Sequence, residues 1–334
     1  MRVIIDSHIP HIHGLIEPRA EVLYLEPDDI TRDAVKDADA LIVRTRTRCN
    51  ADLLDGSRVR FIGSATIGTD HIDPDYCASH DITVRNAPGC NAPAVAQWVF
   101  AAIGAWMRQR GIASPEGLTL GIVGVGHIGS IVARWAQQLG FSVLLNDPPR
   151  EKREGSIDVE FSQFSELQRH CDIITFHTPL SREGEWPTWH LCDQGFLERT
   201  NARLILNAAR GPIVDNAALL DWHGDVGLDC WENEPNISLP LLEKAIVATP
   251  HIAGYSREGK QRGTAMMIEA LNEHFGWDIP VPVIDAPATG AVEVTLDGIT
   301  ASYDILADTA RLKASPRDFE SLRNHYRLRN EFSQ

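Results

Sequence analysis

The chain has 334 residues, of which 43% are hydrophobic, a proportion typical of globular proteins and not of fibrous or disordered ones. Its length is about twice that of a typical domain, so we expect two domains with sizeable cores. The net charge of −15 argues against general binding to nucleic acid or to an anionic membrane, while still allowing a local basic pocket for an anionic substrate. The expected ligand is a small molecule.

The sequence carries no targeting, disulfide or metal signal. Its N-terminal apolar run is too short for a signal peptide, and no later segment reaches the roughly 18 uninterrupted apolar residues of a membrane helix, so we expect a cytoplasmic protein. The six cysteines include no Cys-x-x-Cys pair. His8, His11 and His13 lack cysteine or carboxylate partners at metal-ligand spacing, so no metal is predicted.

Residues 1 to about 92 alternate short apolar runs with polar or helical stretches. The apolar runs lie at 3–6, 22–25, 41–43, 61–62 and 82–84. This rhythm is typical of parallel strands joined by crossover helices. Asn91 and Pro93 can then begin a helix that extends to about Met107 and is apolar on a broad face.

A dinucleotide-binding fingerprint begins at the apolar run 120–123. This run leads into Gly124, Gly126 and Gly129, after which apolar residues recur at the spacing of one helix face. Gly124 permits a tight turn, Gly126 lets the backbone approach a pyrophosphate, and Gly129 lets the helix lie close to the strand. The helix N-terminus then faces the phosphates of the ligand.

The next apolar run spans 141–145, and Asp147 follows it closely. A carboxylate about 20 residues beyond the glycines is placed to reach the ribose hydroxyls of a dinucleotide. NAD is therefore favoured over NADP, because the carboxylate would repel a 2′-phosphate. Arg150 is the nearby residue that keeps NADP as an alternative.

Beyond Asp147 the alternation of strands and helices resumes. Apolar runs lie at 172–176, 203–206, 226–229 and 245–249. Polar residues follow these runs directly, at the carboxyl ends where open parallel sheets bind ligands. A helix is predicted at about 256–275, ended by the proline-rich residues 279–282.

The tail contains an alternating segment at 292–296 and two candidate helices. The second candidate has Ser315 as N-cap and Pro316 in its first turn, followed by Phe319, Leu322 and Tyr326 along one face. Such a unit either packs within the monomer or pairs with another subunit.

Three polar residues at strand-end loops form a coherent catalytic set. They are Arg210 in NAARGPIVD, Glu234 in LDCWENEP and His251 in TPHIAGY. Arginine can hold the carboxylate of a 2-hydroxy acid in a bidentate pair, and histidine can exchange the hydroxyl proton as hydride moves. A carboxylate beside the histidine favours its imidazolium form.

These phrases resemble the D-isomer-specific 2-hydroxyacid dehydrogenase family, and the resemblance covers most of residues 1–275. The resemblance implies an α/β fold of two Rossmann-like parallel-sheet domains with the active site in the cleft, plus a small C-terminal extension. Residues 1–92 with about 256–280 would form the substrate domain and 93–255 the NAD-binding domain. Residues 281–334 would form an extension and candidate dimerisation unit of a homodimer.

The resemblance also assigns roles to individual residues. The catalytic residues are Arg210, Glu234 and His251, with Glu234 preferred to Glu232 because Pro235 follows it. The expected contacts to NAD lie in the glycine turn and at strand ends: Gly124, Gly126, His127, Ile128, Gly129, Asp147, Thr178, Ala208, Ala209, Arg210, Asp229 and Gly254.

Further phrases are similar to a branch of this family whose substrate is a small phosphorylated 2-hydroxy acid. They lie at 43–47, 65–71, 87–92, 176–180, 251–255, 258–260 and 262–264. By this resemblance Thr45, Thr66 and Tyr255 contact the substrate, with Thr45 standing where the resemblance leads us to expect serine. Arg44, Arg46 and Arg257 are candidates for contacts to the phosphate, with solvated ion pairs as the alternative.

The sequence therefore predicts an NAD-dependent oxidation of a phosphorylated 2-hydroxy acid. Two alternatives stay open at this stage. One is another dehydrogenase of the same family, acting on 3-phosphoglycerate or on glyoxylate and hydroxypyruvate. The other is a dinucleotide-sensing binding protein that uses the same fold.

Overall fold

A computed structural model describes residues 1–155, 159–284 and 293–332 of the chain. The chain divides into two compact units. The first consists of Met1–Asn91 together with the described residues from Ser256 to Ile284. The second consists of Ala92–Tyr255 together with residues 293–332, which we call the C-terminal segment.

The strands confirm the predicted alternation, with their ends only slightly displaced from the apolar runs. They are β1 Arg2–Asp6, β2 Glu21–Leu25, β3 Ala40–Val43, β4 Phe61–Ser64, β5 Thr83–Asn86, β6 Thr119–Val123, β7 Ser142–Asn146, β8 Ile173–Phe176, β9 Leu204–Asn207, β10 Asp225–Leu228 and β11 Val247–Ala248.

The helices occupy the connections between strands and the C-terminal segment. They are α1 Arg32–Val35, α2 Ala51–Leu54, α3 Pro74–Ser79, α4 Ala92–Arg110, α5 His127–Gln138, α6 Pro148–Glu154, α7 Phe164–His170, α8 Gln194–Leu197, α9 Asn216–Asp221, α10 Leu239–Lys244, α11 Arg257–Phe275, α12 Leu296–Ser302, α13 Ile305–Ala314 and α14 Phe319–Asn324. Among the helices of the described residues, none combines the length and apolar character that a membrane span requires.

The first unit contains a parallel sheet in the order β2-β1-β3-β4-β5. Strands β3 and β4 are buried throughout, as expected for parallel strands that are covered on both faces. Helix α11 approaches β4 closely, because a Cβ atom on Gly63 would lie 2.9 Å from the sulfur of Met267. The return of the chain to this unit at Ser256 is thus supported by tight packing.

The second unit contains a parallel sheet in the order β11-β10-β9-β8-β6-β7. From β6 the chain passes outward to β7 and then returns to β8 on the other side of β6. The order of the strands therefore reverses between β6 and β8, and open α/β sheets bind their ligands in the crevice at such a point. The predicted α/β class with two parallel sheets is confirmed.

The C-terminal segment packs on α4 within the second unit. A Cβ atom on Gly104 of α4 would clash with the side chain of Thr300, and Ile299 and Tyr303 are buried beside it. This packing explains why α4 is buried almost all round, although its predicted apolar surface was only a broad face. Packing within the monomer, one of the two interpretations of the tail, is observed.

The details of the tail differ from the pattern in the sequence. The segment 292–296 alternates apolar and polar residues, but its described residues do not form a strand. Instead, the hydroxyl of Thr295 accepts from the Gly298 amide at 3.1 Å and caps α12. Residue 292 lies outside the described residues. The second candidate helix is a 3₁₀ turn, Pro316–Asp318, followed by α14, which ends before Tyr326.

Candidate active site

The glycine turn between β6 and α5 has the shape that dinucleotide binding requires. Gly124 has a φ of +87°, and a Cβ atom there would lie 2.8 Å from the carbonyl carbon of His177. A Cβ atom on Gly129 would lie 2.0 Å from the Gly124 oxygen, whereas Gly126 has open space around it. Gly124 therefore forms the tight turn, Gly129 allows the helix to approach the strand, and Gly126 leaves room for a pyrophosphate at the N-terminus of α5, as predicted.

Asp147 joins the end of β7 to this turn. Its Oδ2 accepts a hydrogen bond from the Val125 amide at 2.8 Å, and its Oδ1 accepts from the Arg150 amide at 2.9 Å. The guanidinium of Arg150 donates to the Val125 carbonyl oxygen at 2.6 Å and to Glu154 at 2.7 Å. A carboxylate at the turn, and an arginine engaged with the turn itself, fit the ribose of NAD.

Two partly exposed side chains at the end of β8 each have one buried polar atom that lacks a hydrogen-bond partner among the described residues. The atoms are Nδ1 of His177 and Oγ1 of Thr178, beside the Gly124 turn. The other ring nitrogen of His177 lies 3.1 Å from the Thr175 hydroxyl, and burial lowers the pKa of His177 to about 3. The imidazole is therefore neutral, and both orphaned atoms can bond to a polar ligand. Thr178 was predicted as a cofactor contact and His177 was not.

Gly126 provides a test of this cofactor site. We expect Gly126→Ala to weaken NAD binding by about tenfold or more, because the added methyl group separates the backbone from the pyrophosphate and removes a charge-assisted hydrogen bond. Folding should be unaffected, since the new Cβ atom meets open space. Calorimetric titration with NAD and thermal unfolding are the two measurements. Unchanged NAD affinity would contradict the assignment, and Gly129→Ala, which clashes with backbone, serves as the destabilised comparison.

His251 and Glu234, which the sequence predicts as catalytic residues, lie within hydrogen-bond distance of each other. His251 follows β11, and its Nδ1 lies 2.8 Å from Oε2 of Glu234. The other oxygen of Glu234 accepts from the Trp231 amide at 2.7 Å, which fixes the carboxylate. Burial raises the pKa of Glu234, but the charge and hydrogen bond of His251, the Trp231 amide and the charge of Arg323 bring that pKa below its usual value. Glu234 is therefore ionised, and Nδ1 must be the donor because a carboxylate only accepts.

Asp229 holds the loop that carries the histidine, residues 249–255, which we call the His251 loop. Its carboxylate is buried and accepts from the Thr249 hydroxyl at 2.6 Å and from the Ile252 and Ala253 amides at 2.7 and 2.9 Å. Burial raises the pKa of Asp229, and this effect exceeds the opposing effects of His251 and of these hydrogen bonds. Asp229 thus positions the loop, while its predicted contact to NAD stays a prediction.

Arg210 lies on the loop after β9, beside the loop that carries Glu234. The two loops touch at Gly211, where a Cβ atom would lie 2.0 Å from the Trp231 oxygen, so only glycine fits. The buried amide of Asn207 donates to the Arg210 carbonyl oxygen at 2.9 Å and shapes the turn. The guanidinium donates to the Ala209 oxygen at 2.8 Å. The second unit thus contains all three predicted catalytic residues at the carboxyl ends of β9, β10 and β11.

Among the described residues, two groups have metal-ligating atoms near one another. The first is the catalytic pair with Cys230, whose buried thiol has a pKa well above its usual value, which opposes the thiolate form that binds metals. The second comprises His190, Asp215 and Glu232, in which the histidine Nε2 lies 2.7 Å from Glu232. In both groups the imidazole lies within hydrogen-bond distance of a carboxylate.

The predicted substrate contacts other than Tyr255 lie in the first unit. Arg44, which follows β3, binds the buried Asp6 at 2.9 Å, and the neighbouring Thr45 and Arg46 are exposed. Thr66, after the adjacent strand β4, has its hydroxyl 2.7 Å from that of Ser64. Arg257 is exposed at the start of α11. The strand-end residues therefore share one edge of the sheet, and substrate contact stays a prediction for all of them.

Sequence patterns missed two arginines of the C-terminal segment, Arg323 and Arg329. Arg323 donates from Nε to the Tyr255 hydroxyl at 3.3 Å. Arg329 donates to the carbonyl oxygens of Ile252, at 3.0 Å, and Ala253 in the His251 loop. No motif could have located them, because they approach the loop only through packing of the tail.

Comparisons with known proteins agree with this geometry. The NAD-binding domain of the D-isomer specific 2-hydroxyacid dehydrogenases matches residues 91–253. An erythronate-4-phosphate dehydrogenase of Bacteroides thetaiotaomicron is 43% identical over 99% of this chain and 97% of its own length. The enzymes of the same name from Bacteroides fragilis and Edwardsiella ictaluri are 45% and 41% identical, covering 99% and 100% of this chain and 97% and 93% of their own.

Solved structures show the same fold. The TT0316 protein of Thermus thermophilus has a TM-score of 0.69 at 28% identity and covers 85% of this chain and 100% of its own. A D-lactate dehydrogenase of Aquifex aeolicus, complexed with NAD and lactic acid, has a TM-score of 0.67 at 24% identity and covers 82% of this chain and 95% of its own.

The fold and the site define an NAD-dependent 2-hydroxyacid dehydrogenase. Within that class the chain belongs to the erythronate-4-phosphate dehydrogenase family. The predicted family, enzyme class and cofactor are therefore confirmed.

Proposed function

We propose that this protein oxidises 4-phospho-D-erythronate to 2-oxo-3-hydroxy-4-phosphobutanoate with NAD, in the biosynthesis of pyridoxal 5′-phosphate. The observation that carries the proposal is the pairing of His251 with Glu234 at 2.8 Å, in the unit that also contains the glycine turn and Arg210. The name shared by relatives that match nearly the whole chain supports this substrate over other 2-hydroxy acids.

The catalytic roles follow from the protonation states of the pair. With Nδ1 bonded to Glu234, the Nε2 atom of neutral His251 is a base that takes the proton of the C2 hydroxyl. Glu234 then stabilises the imidazolium that forms. The C2–H bond breaks with its electron pair as C2 and its oxygen form the carbonyl double bond. The chemistry that NAD supplies when bound is acceptance of this hydride.

The two anionic ends of the substrate require cationic partners. In the second unit Arg210 orients the carboxylate, beside a cofactor site formed by the predicted NAD contacts of residues 93–255. In the first unit, residues 1–92 with about 256–280 act as the substrate domain. There we expect the hydroxyls of Thr45 and Thr66 to contact the substrate. Local positive charge for the phosphate would come from Arg44, Arg46 and Arg257.

The proposed enzyme is a cytoplasmic homodimer in which residues 281–334 contribute to the dimer contact. Six free, buried cysteines are in keeping with a reducing compartment. Leu306, on α13 of the C-terminal segment, is 46% exposed and supplies apolar surface for a partner. Light scattering coupled to size exclusion measures the oligomer directly, and a monomer at all working concentrations would refute the dimer.

The substrate assignment is tested by following NADH absorbance with a panel of acids. We expect kcat/KM to be highest with 4-phospho-D-erythronate, ahead of 3-phosphoglycerate, D-glycerate and D-lactate. It carries both a carboxylate and a phosphate, and its phosphate lies one carbon further from C2 than that of 3-phosphoglycerate. Faster turnover of another acid would assign the enzyme a different substrate within the 2-hydroxyacid dehydrogenase family. Tight NAD binding without turnover of any acid would favour a dinucleotide sensor.

A further inference from the structure

The C-terminal segment is attached directly to the His251 loop. Besides the Ile252 and Ala253 carbonyl oxygens, Arg329 donates to the Tyr255 carbonyl oxygen at 3.2 Å and to the Ala94 carbonyl oxygen of α4 at 3.1 Å. Its Nε donates to the Gln97 side chain at 3.1 Å. One guanidinium thus joins the loop to α4, so the residues near Arg329 have a fixed position relative to the catalytic histidine.

Arg323 is held next to Tyr255 by the same segment. Its Nε lies 3.3 Å from the Tyr255 hydroxyl oxygen, and the ring of Tyr326 packs edge-on against that of Tyr255 with centroids 6.2 Å apart. Phe319, at the start of α14, is completely buried and anchors the helix. The guanidinium of Arg323 therefore lies beside the one predicted substrate contact that the second unit contains.

The positive charge of Arg323 is only partly compensated. Its side chain is 19% exposed, and the carboxylate of Glu320 lies 3.8 Å from it but is itself 44% exposed. Burial lowers the pKa of Arg323, but Tyr255, Glu234 and Glu320 outweigh burial and raise it, so the group stays charged. Glu234 already bonds to His251 and to the Trp231 amide. A largely buried guanidinium has several N–H donors, so Arg323 can bind an anion that approaches it.

We infer that Arg323 is a substrate-binding residue whose guanidinium, together with the Tyr255 hydroxyl, contacts the terminal phosphate of the substrate. This inference rests on the proposed function. The substrate has two anionic groups, and the position of Arg210 beside the Glu234 loop suits the carboxylate next to the reacting C2 atom. The phosphate, two carbons beyond C2, needs direct contacts as well as the positive charge proposed for the first unit, and the planar guanidinium of Arg323 matches its geometry.

The contact predicts a loss that depends on the phosphate. We expect Arg323→Gln to lower kcat/KM for 4-phospho-D-erythronate by about 10- to 100-fold, mainly through a higher KM, the usual effect of losing a charge-assisted hydrogen bond. The kcat/KM for unphosphorylated D-erythronate should change little. Arg323→Lys should recover part of the loss, because it keeps the charge without the planar fork. Arg327→Gln is the matched control, since Arg327 is an exposed arginine of the same segment.

Two outcomes would overturn the inference. Equal losses with both acids would assign Arg323 a structural role, and a lower kcat with a displaced acid limb of the pH profile would show that it acts through Glu234. The proposed function fails separately, if wild-type protein leaves 4-phospho-D-erythronate unoxidised. In that case, or if D-erythronate is too poor a substrate, calorimetric titration with inorganic phosphate replaces the comparison. Weaker phosphate binding by Arg323→Gln than by Arg327→Gln supports the contact, and equal binding overturns it.

Discussion

We expect the His251→Asn protein to bind NAD normally and to oxidise its substrate about 100- to 10,000-fold more slowly, the usual contribution of a positioned general base. The asparagine amide can still donate to Glu234, in place of the Nδ1 atom that lies 2.8 Å from that carboxylate. It offers no basic atom at the position of Nε2. The variant therefore separates proton transfer from the architecture of the His251 loop.

A second histidine in the same unit provides a matched control. His190 also has a positive φ, at 49° against 56° for His251, and its Nε2 lies 2.7 Å from Glu232. The two side chains are similarly exposed, at 30% and 28%. We expect His190→Asn to keep kcat near the wild-type value. Turnover measured by NADH absorbance decides the matter, and equal effects of the two substitutions would reject His251 as the base.

Local patterns were sufficient for the fold and for the cofactor turn. Strands such as β6 and β8 are mostly apolar because both faces of the sheet are covered. In the glycine turn, the steric limit on Gly129 is local, at the Gly124 oxygen, whereas Gly124 itself is limited by the more distant His177. The tail was harder to predict. Its short helices are set by packing on α4, as the clash of a Cβ atom on Gly104 with Thr300 shows, and that contact leaves no periodic signal in the sequence.

The three candidate catalytic residues were predicted by resemblance to family motifs. The residues that position their loops were not predicted in that role. The sequence motif gave no role to Gly211, yet this residue allows the Arg210 loop to touch the Glu234 loop. Asp229 was predicted as a contact to NAD, and the structure adds that its two oxygens hold the His251 loop. Arg329, in the C-terminal segment, also holds this loop, because it donates to the carbonyl oxygens of Ile252 and Tyr255. Long-range contacts of this kind require the tertiary structure.

We expect Glu234→Gln to lower kcat by roughly 10- to 100-fold, the range of a lost charge-assisted hydrogen bond. The reason is the tautomer of His251. Because Oε1 of residue 234 must accept from the Trp231 amide, a glutamine would turn its NH2 group toward the imidazole. The Nδ1 atom would then become the acceptor and place the proton on Nε2, where the base is needed. Turning the amide round instead would set its NH2 group against the Trp231 amide.

The pH profile gives the second readout of the same change. The pKa of Glu234 lies below its ordinary value of 4.5, so in the wild-type protein the carboxylate stays ionised and stabilises the imidazolium over the whole neutral and mildly acidic range. Glu234→Gln removes the charge that stabilises the imidazolium, so the acid limb of kcat/KM for oxidation should move to lower pH. Glu232→Gln is the matched control, because Glu232 bonds to His190 at 2.7 Å and should leave the limb in place. A limb that moves to higher pH, or that moves equally in both variants, would show that Glu234 does not stabilise the catalytic imidazolium.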